Sequence, residues 1–381
     1  MTTLASPGVR SPQPPASPAD ARVITPSLGT RFSGINSALL AVGPELARHI
    51  PIVATGFKLT PVMPLIRLRT ALRIFRRGPK RIWHARRNVE MVAGLFLRHV
   101  LRYPLILVWT SHALRRHTRF TRFCYHRMDA VIATTRKAAS FLDCPAQVVY
   151  LGVDLKVYHP PTTAVREIAG KNLPGKRNLG LFGRIRASKG TGDLVAALIA
   201  LLPRYPDWGA VIIGQATAQE LAYEQGLKNQ LAAAGLAERV RFVGFIPDLR
   251  EIPGWYRALD LVVCASRAEG FGLPCLEGMA SGCPVVATTA GAWPEIISEG
   301  EDGWLARIAD PADLARALEK ALATDEPTLA EMGRRACAKV TRDFAIEREA
   351  AGLLKVYRML LASHDTSPAA ARANSPDQPP I

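Results

Sequence analysis

The sequence predicts an α/β protein of two doubly wound, Rossmann-like domains facing a central cleft. Three observations predict it. Short apolar runs alternate with helix-length amphipathic stretches, the pattern of parallel sheets with crossover helices. The alternation occurs twice, in two series parted by a polar, Pro-containing connection. And 381 residues, 48% hydrophobic and 7% aromatic, suffice for two buried cores.

The first series occupies residues 21–160. Strand-like runs start at Arg22-Val23-Ile24 and recur at Ile52-Val53-Ala54, Arg81-Ile82-Trp83-His84, Leu105–Trp109, Ala130–Ala133 and Val148-Val149-Tyr150, with a helix expected over Ala38–Arg48. A linker over 161–177 leads to a second domain over 178–343. Its strands are expected at Leu179–Phe182, Ala210–Ile213, Val240–Val243, Ala258–Ala265 and 284–287, and its helices at Asp193–Leu202, Gln219–Ala234, Pro311–Ala323 and Thr328–Ala338. A final helix over 344–362 is expected to pack back on the first domain. Ligands of open α/β sheets bind outside the strands' carboxyl ends, so two such sheets imply a cleft lined by both sets.

Both ends differ from this. Residues 1–20, with Pro at 7, 12, 14, 15 and 18, and residues 363–381, rich in Ala, Ser and Pro, are too poor in apolar surface to order themselves. No apolar signal-peptide core follows Met1, and the longest apolar run, Leu194–Leu202, falls well short of the roughly 20 residues of a membrane span. A cytoplasmic protein, associated peripherally with the inner membrane face, is the expectation. Six scattered cysteines without a C-x-x-C pair read as reduced structural thiols. No Asp-x-Asp or His-rich cluster suggests a metal, and no cofactor is called for.

The net charge of +17 is concentrated. Between Phe57 and Arg122 stand 16 Lys and Arg against the single acid Glu90. Such a field attracts a polyanion. Nucleic acid is not expected, since neither a recognisable module nor an aromatic stacking platform accompanies the charge.

Residues 269–277, Glu-Gly-Phe-Gly-Leu-Pro-Cys-Leu-Glu, hold the strongest chemical signal. They join an apolar strand to a helix that Pro274 can open and Gly282 can close. Strand, glycine turn and helix N-terminus gather backbone N–H groups that suit an anion. Gly270 and Gly272 flank Phe271, which suits close backbone approach; Glu269 lies in the turn and Glu277 in the first turns of the helix, so both can face one ligand. Taken singly, each Glu has an ordinary account in solvation or the helix dipole. The loop Gly183–Gly190 adds Arg184 and Lys189 at another strand end, two cations suited to a diphosphate. In the first half, Arg31–Asn36 forms a second Gly-bearing turn through Gly34, and His84 and His112 stand at strand ends, where a histidine can move a proton or simply be a satisfied core residue.

Together these residues resemble the retaining glycosyltransferases of family 4, whose GT-B fold consists of two Rossmann-like domains. The motifs carrying the resemblance are Gly183-Arg184 with Lys189-Gly190, Gly244-Phe245-Ile246-Pro247, Glu269–Leu273 with Glu277, Gly282–Ala287 and Gly303-Trp304-Leu305. Within the family the chain is most similar to lipopolysaccharide core mannosyltransferases, through Arg31–Gly34, Trp83–Met91, Arg116-His117-Thr118 and Met128–Thr134. The resemblance implies roles. Arg184 and Lys189 would hold the donor diphosphate, Glu277 the ribose hydroxyls and Glu269 the donor sugar. The N–H groups of Phe271, Gly272 and Leu273 would line the sugar and phosphate site, Gly34 would admit the phosphates, and the backbone near Phe245 and Ile246 would meet the base. A sugar-contacting His is also implied; His112 aligns to it only across a gap, and His84 matches a different strand end. The donor would be GDP-mannose and the acceptor an anionic lipid-linked saccharide, a lipid A bearing Kdo, at the cytoplasmic leaflet, with the basic segment Arg73–Arg87 docking on bilayer or acceptor. A UDP-hexose donor, another acceptor, a nucleotide-sugar 2-epimerase of the same fold and a non-catalytic basic scaffold are the alternatives.

Overall fold

A computed structural model of the chain describes residues 17–29, 34–57, 59, 63–161 and 173–365. The chain forms two compact units, Met1–Tyr150 with Ile346–Ile381, and Leu151–Ala345. The tail and linker expectations at 1–16, 162–172 and 366–381, and Arg31, Phe32 and Ser33, lie outside the described residues.

Unit 1 runs β1 (Val23–Ser27), α1 (Gly34–Ala47), β2 (Ile52–Gly56), β3 (Leu65–Ile66), α2 (Leu68–Ile74), β4 (Arg81–Ala85), α3 (Asn88–His99), β5 (Leu105–Ser111), α4 (Arg119–Tyr125), β6 (Ala130–Ala133), α5 (Arg136–Ala139) and β7 (Gln147–Val148). The strands form one parallel sheet in the order β3-β2-β1-β4-β5-β6-β7. Every residue of β1, β4 and β5 is buried, because helices cover both faces of a parallel sheet.

Unit 2 runs β8 (Arg177–Phe182), α6 (Thr191–Leu201), β9 (Trp208–Ile213), α7 (Leu221–Ala233), β10 (Val240–Gly244), α8 (Ile252–Arg257), β11 (Leu261–Cys264), α9 (Leu273–Ala280), β12 (Val285–Thr288), α10 (Trp293–Ile296), β13 (Gly303–Ala306), α11 (Pro311–Ala323) and α12 (Glu326–Asp343). Its parallel sheet has the order β10-β9-β8-β11-β12-β13. The chain starts in the middle, winds to one edge, then crosses back and winds to the other. The loops after β8 and β11 therefore diverge at a switch point, as those after β1 and β4 do in unit 1.

The last helix, α13 (Ile346–Asp365), belongs to unit 1. Ile346, Ala350, Leu353, Tyr357 and Leu361 recur at helical spacing and form one core with Val23, Ile52, Ile82, Ile106 and Ile132. Their strand neighbours Ile24, Val53, Trp83, Leu107 and Val131 point the other way, into a core with Met91, Leu97 and Tyr125. Strand alternation thus assigns each sheet face its own core.

Several expectations are corrected. The run Ala258–Ala265 is a strand only over Leu261–Cys264: Ala258 caps α8, the Leu259 N–H still donates back to the Tyr256 carbonyl at 3.1 Å, and Asp260 meets Asn178 of β8, donating its N–H to the carbonyl at 2.9 Å and accepting the Asn178 N–H on its carboxylate at 2.8 Å. Helix α1 begins at Gly34, four residues before Ala38. Residues 151–160 pack within unit 2, where Val153 bridges Ala345 and the Tyr158 ring meets Tyr256 edge-on at 5.7 Å. Within the Arg73–Arg87 segment, expected to dock on bilayer or acceptor, two of the arginines are buried. Arg81 is 3% exposed, packs over Phe75 and donates to the carbonyls of Ala19, Ala21, Arg77 and Pro79; Arg86 is 7% exposed.

Candidate active site

The chemistry-bearing residues of unit 2 gather at its switch point. After β8 the chain passes exposed Arg184 and a tight turn over Ala187–Lys189, and reaches Gly190 at φ 69° before α6. A Cβ on Gly190 would stand 1.8 Å from the Ala265 carbonyl oxygen, so only glycine lets this loop close on the loop after β11. That closure brings Lys189 Nζ into a hydrogen-bonded ion pair with Glu269 Oε2. The Ser266 hydroxyl approaches the same oxygen at 3.4 Å and the Gly270 N–H approaches Oε1 at 3.3 Å. Both members of the pair stay about one-fifth exposed, open to a ligand yet held.

The turn after Glu269 is fixed from its far side. Gly272 has φ 92° and a Cβ there would lie 2.3 Å from Trp293 Nε1, which donates to the Gly272 carbonyl at 3.0 Å. The Ala292 N–H donates to Phe271 O at 3.0 Å. The N–H groups of Phe271, Gly272 and Leu273, at the start of α9, meet no acceptor among the described residues. Arg184 likewise pairs with no described carboxylate. The switch point therefore offers a free guanidinium, a half-engaged ammonium and a row of N–H donors, a set suited to a diphosphate.

Glu277 sits one turn into α9. Tyr256 donates to its Oε2 at 2.7 Å and the Tyr158 hydroxyl faces the same carboxylate. Burial pushes the Glu277 carboxyl above its ordinary value, against the two hydroxyls, which stabilise the anion. Burial and the neighbouring carboxylate likewise raise Tyr158 and Tyr256. Tyr256 stacks on Phe182, the last residue of β8, with centroids 3.7 Å apart. At the far edge of the sheet Phe245 is 58% exposed, while Ile246 is buried at 7%. Strands lie about 4.8 Å apart, so roughly 14 Å of strand ends separates the end of β10, where Phe245 follows, from β11 and Glu269.

In unit 1, Gly34 opens α1 with nothing within 4 Å of where a Cβ would stand. His84 does not fit a proton carrier. It is fully buried, with Nδ1 2.6 Å from the Tyr357 hydroxyl and Nε2 2.6 Å from Thr110 Oγ1, and burial holds it well below its ordinary value, so it stays neutral with both nitrogens engaged. His112 follows β5; its Nε2 is buried without a partner, and burial with nearby Arg86 and Arg87 lowers its pKa to about 3. Among the described residues no cluster of three or more His, Cys, Asp or Glu could hold a metal. Cys275 and Cys264 are buried thiols pushed up by desolvation, which suits packing rather than nucleophilic work.

Residues 176–324, from β8 to α11, match the family model described as glycosyl transferases group 1. Over 350 residues the chain is 43% identical to a lipopolysaccharide core biosynthesis mannosyltransferase of Rhizobium leguminosarum bv. viciae, spanning 91% of this chain and 98% of the relative. The corresponding protein of Rhizobium meliloti is 43% identical over 353 residues, covering 90% and 98%. This protein belongs to the group 1 glycosyltransferases. Structural likeness agrees at the level of fold. A protein of Anabaena crystallised with UDP and glucose superposes with TM-score 0.74 at 20% identity, covering 88% of this chain and 99% of that one. Sucrose-phosphate synthase of Thermosynechococcus elongatus gives 0.73 at 19%, covering 90% and 100%. The two Rossmann-like units of this glycosyltransferase are thus those of the GT-B class.

Sequence reasoning did not find Tyr158, Tyr256, Ser266 or Trp293 at the site. Tyr158 was placed in the first domain, and Tyr256 lies in a helix between strands with no motif around it. Only the fold brings them to the two glutamates.

Proposed function

We propose that this glycosyltransferase moves a mannosyl group from GDP-mannose to an anionic lipopolysaccharide inner-core acceptor, with retention of configuration. The observation that carries the reading is the end-to-end similarity to two lipopolysaccharide core mannosyltransferases. The site geometry supports a division of labour. Arg184, Lys189 and the N–H groups of Phe271, Gly272 and Leu273 neutralise the diphosphate as its charge grows on leaving, which stabilises the transition state more than the ground state. Glu277, steadied by two tyrosine hydroxyls, accepts from the ribose. Glu269, held by Lys189, orients the sugar, and the departing phosphate takes the acceptor's proton on the face it leaves. Phe245 and Ile246 meet the base, and Gly34 leaves room for the donor's phosphates.

Peripheral attachment to an anionic leaflet belongs to the same reading. Val89, Val92 and Phe96 form an exposed stripe on α3, and Phe120 and Phe123 are more than half exposed on α4. The two helices are tied by an Asn88–Thr121 hydrogen bond of 2.9 Å, and Arg115, Arg116, Arg119 and Arg122 are exposed beside them. Apolar side chains ringed by guanidinium groups suit a bilayer interface, each cation adding about 1 kcal/mol near anionic lipid.

A panel of nucleotide sugars tests the donor: GDP-mannose is expected to raise the melting temperature and to be consumed with an inner-core acceptor. A shift with UDP-hexoses alone refutes the mannosyl assignment. Epimerised sugar formed without acceptor refutes transfer.

A further inference from the structure

The unit 1 switch point holds a buried cation with no ion pair among the described residues. Arg86 follows β4 and is 7% exposed, yet no ion pair joins it to a described carboxylate. The nearest acid by sequence, Glu90, is committed elsewhere: it accepts the N–H groups of Leu28, Arg86 and Arg87 and pairs with the Arg87 side chain. The Arg86 charge acts on the Tyr357 hydroxyl, which lies 2.6 Å from His84 Nδ1. Its Nη1 is buried with no hydrogen-bond partner among the described residues. His112 follows the adjacent strand, and its Nε2 is a second buried, unpartnered polar atom. Its titration is depressed partly by Arg86, so the two groups share one electrostatic neighbourhood. A buried cation without a counter-charge is costly, and folded proteins keep one where a ligand supplies the missing anion.

We propose that Arg86, with His112 Nε2 beside it, is an oxyanion subsite of unit 1 that receives a carboxylate or phosphate oxygen of a substrate. Only the source of that oxygen, acidic acceptor sugar or nucleotide donor, rests on the functional reading above.

The test is thermal melting of the full chain titrated separately with a nucleoside diphosphate, with a free 2-keto sugar acid and with inorganic phosphate. At least one is expected to raise the wild-type melting temperature, and Arg86→Gln to weaken its half-saturation about tenfold to a hundredfold. Weakening confined to the sugar acid assigns the acceptor, and weakening confined to the nucleoside diphosphate assigns the donor. Arg86→Met is expected to melt at or above wild type without ligand, since it removes an uncompensated buried charge. Unchanged titrations in Arg86→Gln overturn the proposal, as does an Arg86→Met melt several degrees below wild type, which would mark the guanidinium as a structural tie. Because the titrations need no transfer, they read Arg86 even if the donor panel refutes the mannosyl assignment.

Discussion

Gly190 and Gly235 have the same backbone angle, φ 69°, in different surroundings, so one substitution at each separates conformational strain from collision. At Gly235 a Cβ meets nothing within 4 Å; at Gly190 it stands 1.8 Å from Ala265 O and 2.9 Å from Ala265 Cβ. Gly235→Ala therefore adds only the left-handed penalty, about 1–2 kcal/mol. Gly190→Ala adds the same and a backbone overlap that requires a shift of about 1 Å, which overpacking data put at roughly 1–3 kcal/mol more. For a unit of about 200 residues the difference is roughly 2–12 °C in melting temperature. The shift separates the loop carrying Lys189 from the loop carrying Ser266 and Glu269, and a displacement of about 1 Å at reacting groups can cost on the order of a hundredfold in rate. Urea denaturation and the rate of donor consumption are the assays. If Gly190→Ala matches Gly235→Ala in stability and wild type in rate, the account of the Gly190 closure is wrong.

Three other outcomes follow from the same geometry. His112 is neutral when folded, with a pKa of about 3 against the ordinary 6.5, so its share of stability is complete above about pH 6.5 and lost as pH falls below it; at pH 5 the loss is about 2 kcal/mol, and in urea melts at pH 5 and 7 His112→Asn is expected to narrow the difference by that amount. Glu277 has a raised pKa, so its stabilising share is present at low pH and declines as pH climbs past the unfolded value; Glu277→Gln is expected to equal or exceed wild type in stability at pH 8 while weakening donor binding about tenfold, measured by denaturation and nucleotide titration. Phe120→Ser with Phe123→Ser is expected to leave the melting temperature within about 1–2 °C, since both rings are over half exposed, and to weaken sedimentation with anionic vesicles several-fold.

Much of the site was legible because its signals are local. Glu269 to Glu277 lie within one strand–turn–helix unit, and glycine at 190 and 272 marks positive φ that other residues resist. Strand positions were readable because fully covered parallel strands are apolar on both faces. The strand before the site starts later than its apolar run because Leu259, apolar by composition, still closes the turn after α8 by donating its N–H to the Tyr256 carbonyl. Between the two readings of His84, proton carrier or satisfied core residue, local pattern could not choose: its partner Tyr357 lies 273 residues away on the last helix.

The sequence alone determined the two α/β repeats, the basic first half and the short motifs that carry Arg184, Lys189, Glu269 and Glu277, since each depends on neighbours a few positions away. Only the tertiary structure decided which charges are available. It engages Lys189 with Glu269, surrounds Glu277 with Tyr158 and Tyr256, closes His84 within a core and buries Arg86 with no ion pair among the described residues. Burial and partnership are set by which strand ends the topology brings together, and no local pattern encodes that.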